Sequence, residues 1–257
     1  MNNALSSDAQ PTLLIRLATD GFSFAIQHVS DTSRPLINHY AIDETLTMTA
    51  NLKRFVKEQQ WHTQSFRSVE VIVATERYTL MPLEHFEDEQ VDQIFHYNLS
   101  PRENEEINYN ILSANNVVVL FGFDRSAARW LTEQIGPIHL QAESSLLIEQ
   151  FADRQRGQSS QALYAHVSNN ILGLYAFHDD KLLLANPQHC NSAGDRLYYL
   201  LYLWKQLALD AEQDKLFLYG EHKIIDPLVS QLRKYIRQVT PINDGNTLEF
   251  NYFISCE

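Results

Sequence analysis

Two cysteines, Cys190 and Cys256, are all the sequence holds. A disulfide scaffold needs more, and a zinc site needs Cys-x-x-Cys or Cys/His spacing that is missing here. His189 precedes Cys190, and the two read as a loop histidine and a half-buried thiol rather than as ligands. Glycine and proline are scarce, eight of each in 257 residues, so long low-complexity linkers are excluded. The longest apolar runs, 117–123 and 197–204, fall far short of the ~20 residues that span a bilayer. The opening Met-Asn-Asn-Ala-Leu-Ser-Ser-Asp has neither the basic nor the apolar region of a signal peptide, so the cytoplasm is the expected location. A basic face is also lacking. The formal net charge is −12 and no Lys/Arg cluster appears, so a nucleic-acid partner, which needs cations to displace its counterions, is not expected. No G-x-S-x-G elbow marks a serine hydrolase.

What is present is a globular composition: 44% hydrophobic and 20% charged residues. A chain of this length buries roughly 75% of its unfolded surface. Residues 12–19 (TLLIRLAT) read as a strand and Asp20-Gly21 as a hairpin turn. Residues 22–29 return with Phe22, Phe24 and Ile26 alternating, and 36–42 form a third strand. Asp43 is placed to cap a helix to about residue 60, with Met48, Leu52, Phe55 and Val56 on one face. The β-branched run 69–75 suits a strand buried on both faces, and 78–83 is a short strand.

An acidic stretch follows. Glu84, Glu87, Asp88, Glu89, Asp92, Glu103, Glu105 and Glu106 stand against Arg102 alone, a net −7. Its front reads as a helix with Val91, Ile94 and Phe95 inward, and carboxylates in its first turn suit the helix dipole. A solvated helix face is the plain reading and a partner-binding surface the sharper one. Residues 107–112 and 117–123 read as strands. Asp124 caps a helix over 125–135 that buries Ala127, Trp130 and Leu131. A strand over 137–141 leads into a helix with Leu146, Leu147 and Phe151. The polar stretch 153–161 reads as an internal boundary.

The opening pattern then recurs. Strands at 162–167, 171–178 and 181–186 are joined by turns at 168–170 and at Asp179-Asp180. The offset reads as about 149 positions, Leu14 matching Leu163 and Asp20 matching Asn169. The next helix, 192–209, is apolar nearly all round. It is expected to be buried, with its tyrosines in the core. A strand over 215–219 ends at Gly220. Asp226-Pro227 reads as a cap with proline at the first helical position, opening a helix to about 238. Residues 248–254 read as the last strand.

A meander, a helix and strand–helix units, all occurring twice, resemble the actin-like ATPase (ribonuclease H-like) fold, an α/β architecture of two similar lobes. VIVATERYTLMPL, the acidic helix, EINYNIL, VVVLFGFDRSAARWL and PIHLQAESSLLIEQF resemble PilM-type pilus-assembly proteins and their cell-division relative FtsA. ALYAHVSNNILGLYAFHDDKLLLAN and LFLYGEHKIIDPLVSQL extend that resemblance into the second half. The whole is also similar to a family of uncharacterised Bacteroidetes proteins assigned to this fold. The resemblance implies lobes at 12–141 and 142–257, the first with an inserted subdomain at about 84–112.

In that fold ATP lies between the halves. Asp-x-Gly-Thr-like hairpin turns meet the phosphates and Mg²⁺, and a Gly-Gly pair lets the backbone approach the adenosine. The matching positions here are Asp20, Gly21 and Ser23 in the first turn, Asn169 in the second, and Gly220. Each departs from the pattern. Gly21 comes one place early, with Phe22 where a small residue belongs. The second turn has no carboxylate, and Leu172 replaces its small residue. Tyr219-Gly220-Glu221 keeps one glycine and adds a negative charge. These are vestigial nucleotide-site positions, and ATP hydrolysis, a catalytic residue or a bound metal is not expected. A nuclease-like carboxylate set of Asp20, Glu76 and Asp124 meets the wrong overall charge.

PilM- and FtsA-like proteins bind short partner segments through the inserted subdomain. The resemblance therefore implies an interaction or scaffold protein that takes a basic protein partner along residues 84–106. The alternative is a sensor or enzyme that holds a nucleotide or small molecule with non-standard residues.

Overall fold

Alternation along the first hairpin gives one face for a helix, while Leu14, Ala18 and Ala25 bury the other face as well. In the computed structural model, which describes residues 10–19, 21–28, 36–158, 160–168 and 170–242, that hairpin is β1 (Thr12–Ala18) and β2 (Gly21–Gln27). There follow β3 (Asn38–Tyr40), α1 (Met48–Gln59), β4 (Ser68–Val73), β5 (Tyr78–Pro82), α2 (Val91–Asn98), β6 (Glu105–Leu112), β7 (Val117–Asp124), α3 (Arg125–Ile135) and β8 (His139–Ala142). Then come α4 (Glu143–Gln155), β9 (Gln161–Val167), β10 (Ile171–His178), β11 (Lys181–His189), α5 (Ala193–Gln206), β12 (Lys215–Gly220), α6 (His222–Leu232) and β13 (Gln238–Ile242). The chain divides into two units, Met1–Ile111 with Asn116–Glu143, and Leu112–Asn115 with Ser144–Glu257.

Each unit holds a five-stranded sheet, ordered β3-β2-β1-β4-β8 in the first and β11-β10-β9-β12-β13 in the second. In both, the first three strands are antiparallel and the last two add in parallel. The repeat is real, but its register differs by one from the sequence alignment. Phe22 and Phe24 pack on Phe55 of α1, and Leu17, opposite Phe22, shares their face. The equivalent pair is Val167–Leu172, clustered with Leu200 and Trp204 of α5. Leu13 therefore matches Leu163, and Leu14 faces the other way. A one-residue slip exchanges the two faces of a strand, which is why apolar pattern alone left the register ambiguous.

Between β4 and β8 the first unit inserts a small sheet, β5-β7-β6. α2 backs it through Met81, Val91, Phe95, Val118 and Leu120.

Several helix starts differ from expectation. Thr47, not Asp43, caps α1, its hydroxyl accepting from Ala50 N. Asp43 closes a turn instead: its Oδ1 accepts from Thr45 N and Oγ1, and Asn51 bridges its backbone. An aspartate two residues before a hydroxyl prefers that local turn to a distant cap. α6 begins at His222, with Glu221 at the N-cap and Pro227 inside the helix. Burial of Ile225, two residues ahead of Pro227, outweighs the bond that proline cannot donate. α6 stops at Leu232, and the rest of the predicted helix is a turn that leads into β13 at Gln238. α4 runs through the first part of the polar stretch 153–161. Asp124 does cap α3, through Ala127 N at 2.7 Å, while Trp130 is only half-buried. The predicted strand 248–254 lies outside the described residues, as does Cys256. Cys190 is a buried free thiol.

The second unit's other sheet face is aromatic. Tyr164 stacks between Phe151 and Phe217, each 4.7 Å away, and burial pushes its phenol up to about 12. Because the folded pKa is the higher one, this group's contribution is complete below the ordinary tyrosine value of 10.0. It is lost as pH rises through about 12. We expect alkaline melting curves to show that extra loss of stability and Tyr164→Phe to reduce it. No helix among the described residues is long and apolar enough to cross a membrane.

Candidate functional site

The strand-end positions come first. Asp20 and Asn169 lie outside the described residues. Gly21 opens β2 at φ 155, where a Cβ would stand 3.2 Å from the Tyr40 carbonyl oxygen. Phe22 is 1% exposed, its ring against Phe55 and Tyr40. Its structural equivalent Leu172 is likewise core. Core side chains thus occupy both equivalent positions.

Ser23 is nearly buried, and its Oγ lies 2.9 Å from His39 Nδ1. It sits opposite Arg16 on β1, whose Nε donates to Glu143 Oε1 at 2.6 Å. This polar cluster escaped sequence reasoning. The signal was Arg16 inside TLLIRLA, because a charge within a buried strand requires a partner. Glu143 is that partner, at the first position of α4, where the helix dipole favours an anion.

Gly220 ends β12 opposite Val167. At φ 152, a Cβ here would come inside 3.0 Å of the Val167 carbonyl oxygen. The glycine serves a backbone-to-backbone approach. Glu221 beyond it pairs with Lys223. Of the nuclease-like set, Asp124 is committed to its cap. Among the described residues no three His, Cys, Asp or Glu gather as a metal-ion group. An open cavity of about 290 Å³ in the second unit is lined by Asn115, Glu149, Asp153, Arg156 and Asp180. None of the described strand-end positions lines it.

The acidic stretch lies in the inserted subdomain. Glu84, Glu87, Asp88, Glu89, Asp92, Glu103 and Glu106 are exposed. They lie on two 3₁₀ turns, on α2, and on or beside β6. Glu105 is different. Its two oxygens take Arg77 Nε at 2.6 Å and Nη2 at 2.7 Å, and both side chains are largely buried. The counted net charge therefore included one carboxylate that is neutralised internally. Aromatic residues stand among the acids. Tyr97 is 91% exposed. Tyr109 packs on Phe86 at 4.8 Å, and its hydrogen bond to Asp88 raises the phenol above its ordinary pKa.

The model of one protein family, described as "Protein of unknown function (DUF3822)", matches residues 2–239. A Bacteroides thetaiotaomicron VPI-5482 protein with actin-like ATPase fold and unknown function is 39% identical, covering 100% of both chains, with a TM-score of 0.91. A chain of the PilM–PilN type IV pilus biogenesis complex is 14% identical over 93% of this chain and 94% of its own, TM-score 0.58. The cytoplasmic domain of EpsL, an inner membrane component of the Vibrio cholerae type II secretion system, is 10% identical over 96% of each chain, TM-score 0.51. The last two share the fold alone. No curated protein matches the chain. The fold is the actin-like ATPase fold.

Proposed function

The chain belongs to the DUF3822 family, and from that premise we propose that it is a non-catalytic actin-fold protein that works by binding another protein. The site is the exposed acidic segment Glu84 to Glu106 of the subdomain at about 84–112, within a lobe spanning 12–141. Residues 142–257 form the second lobe. The partner is a segment rich in lysine or arginine. The observation that carries this reading is the separation of roles among the carboxylates. Glu105 is spent inside on Arg77, while seven others are exposed on a sheet and helix of their own. The non-catalytic half is supported by Phe22, Leu172 and Gly220, which serve core packing and strand approach at the places a nucleotide site would need. A complex of PilM with PilN supports a protein partner by analogy of fold only.

Affinity capture from the native host tests it. A variant carrying Glu87→Lys, Asp88→Lys, Glu89→Lys and Asp92→Lys should melt close to the parent, since all four are exposed. It should lose its co-purifying partner, because like charges across an interface cost several kcal/mol. An unchanged set of partners sinks the reading.

A further inference from the structure

α5 was expected to be buried all round, and it is not. Leu200 and Trp204 face the core, but Tyr198 is 60% and Tyr202 51% exposed. The two rings stack on each other, centroids 5.8 Å apart. The molecule contains its own control. α1 holds the same place in the first unit's sheet, between the third and fourth strands, and its exposed positions are Lys53, Arg54, Lys57 and Glu58. The fold does not require aromatic residues on the solvent side of this helix.

Asp195, Tyr198, Tyr202 and Lys205 are spaced three, four and three apart. That is the spacing of a helix seam, and it keeps all four within roughly 80° of arc on a helix of 3.6 residues per turn. The order is also self-complementary. Run antiparallel to itself about Leu200, the helix sets Asp195 opposite Lys205 and Tyr198 opposite Tyr202. Asp195 caps its own helix through Oδ2, which leaves Oδ1 for a partner.

We propose that α5 is the seam of a two-fold homodimer: Tyr198 of each copy packs on Tyr202 of the other, and Asp195 of each faces Lys205 of the other. A two-fold contact uses one patch twice, which the Asp–Tyr–Tyr–Lys order satisfies. Antiparallel helix dipoles favour it as well. The seam spans about three turns of helix, so it lies at the small end of interface size and the dimer dissociates on dilution. This surface is independent of the acidic one.

Sedimentation velocity on the full chain between about 5 and 500 μM should show the dimer fraction rising with concentration. Tyr198→Ser with Tyr202→Ser should abolish it while leaving the melting temperature unchanged, since both rings are mostly exposed. Lys205→Asp should also abolish it, by setting two carboxylates face to face. A second measurement fixes the arrangement. In a Cys256→Ser background, a chain with Tyr198→Cys is mixed with one carrying Tyr202→Cys. Mild oxidation should then give the mixed disulfide in preference to either like pair. A chain that stays monomeric throughout overturns the proposal and leaves the face to a different protein. So does a dimer that survives the double tyrosine change, or a preference for like disulfides.

Discussion

Gly220→Ala should lower the melting temperature by roughly 10 °C. Gly220 pairs with Val167 at the end of the parallel β12–β9 ladder, at φ 152. An added Cβ would collide with the Val167 carbonyl oxygen and stand 3.2 Å from Ile225 Cγ2 on α6. The first obstacle is backbone, so no side-chain rotation relieves it. Strain at a glycine-only φ costs about 1–3 kcal/mol and forced overpacking a similar amount. A total near 3–4 kcal/mol corresponds to about 10 °C in a protein of this size. Two other glycines calibrate the series. Gly21→Ala meets only the Tyr40 carbonyl at 3.2 Å, on a three-residue edge strand able to shift, and should cost about 1–2 kcal/mol. Gly157→Ala, at φ 76 with nothing within 4 Å, should cost about 1 kcal/mol. Differential scanning calorimetry of the three variants gives the order directly. A Gly220→Ala protein melting within a degree or two of the parent would mean that the glycine is not held by strand approach. The same position would then regain its claim as a place where backbone meets a ligand.

The architecture was legible wherever periodicity had a single solution. The two hairpins, the buried run 117–123 and the Asp124 cap follow from alternation, β-branching and a side chain that satisfies a helix N-terminus. What failed required knowing a direction or a distant partner. The repeat was visible, but Leu14 and Leu163 are both apolar residues in apolar strands, so composition did not reveal that they face opposite ways. α5 reads as buried because tyrosine counts as apolar. Its exposure depends on which side the sheet lies, and Leu200 and Trp204 take that side. Asp226-Pro227 has the form of a helix start, yet Ile225, Leu228, Val229 and Leu232 set the helix by their burial. Gly21 and Gly220 each approach a carbonyl group on a neighbouring strand, those of Tyr40 and Val167, and no local pattern reveals that. Arg16 finds Glu143 across 127 positions and Arg77 finds Glu105 across 28. No local pattern links either pair.

Glu105→Ala should cost about 3–5 kcal/mol, the usual penalty for removing one partner of a buried ion pair. Glu103→Ala and Glu106→Ala, in the same acidic stretch but exposed, should stay within about 0.5 kcal/mol. Charge count does not predict this difference; burial does. Arg77 is 9% exposed. It donates twice to Glu105 and once to Ser100 O at 2.8 Å, with its guanidinium 5.6 Å over the Phe95 ring. The hydrogen bond to Glu105 is the first cause holding the Arg77 pKa above its ordinary value. Even without it, an arginine does not shed its charge at working pH, so truncating Glu105 strands a buried cation. Gly122 belongs to the same device, because a Cβ there would occupy the space of the Glu105 carboxylate. Gly122→Ala should therefore destabilise too, and less than additively with Glu105→Ala, since both break one contact. Arg77→Met combined with Glu105→Leu should recover most of the loss, because an apolar pair carries no desolvation debt. Urea unfolding of the singles and the double closes the cycle. A Glu105→Ala loss below about 1 kcal/mol would mean that the pair is solvated like a surface bridge. In that case Glu105 would rejoin the outward-facing acids, and a division of labour among the carboxylates could no longer support the docking reading.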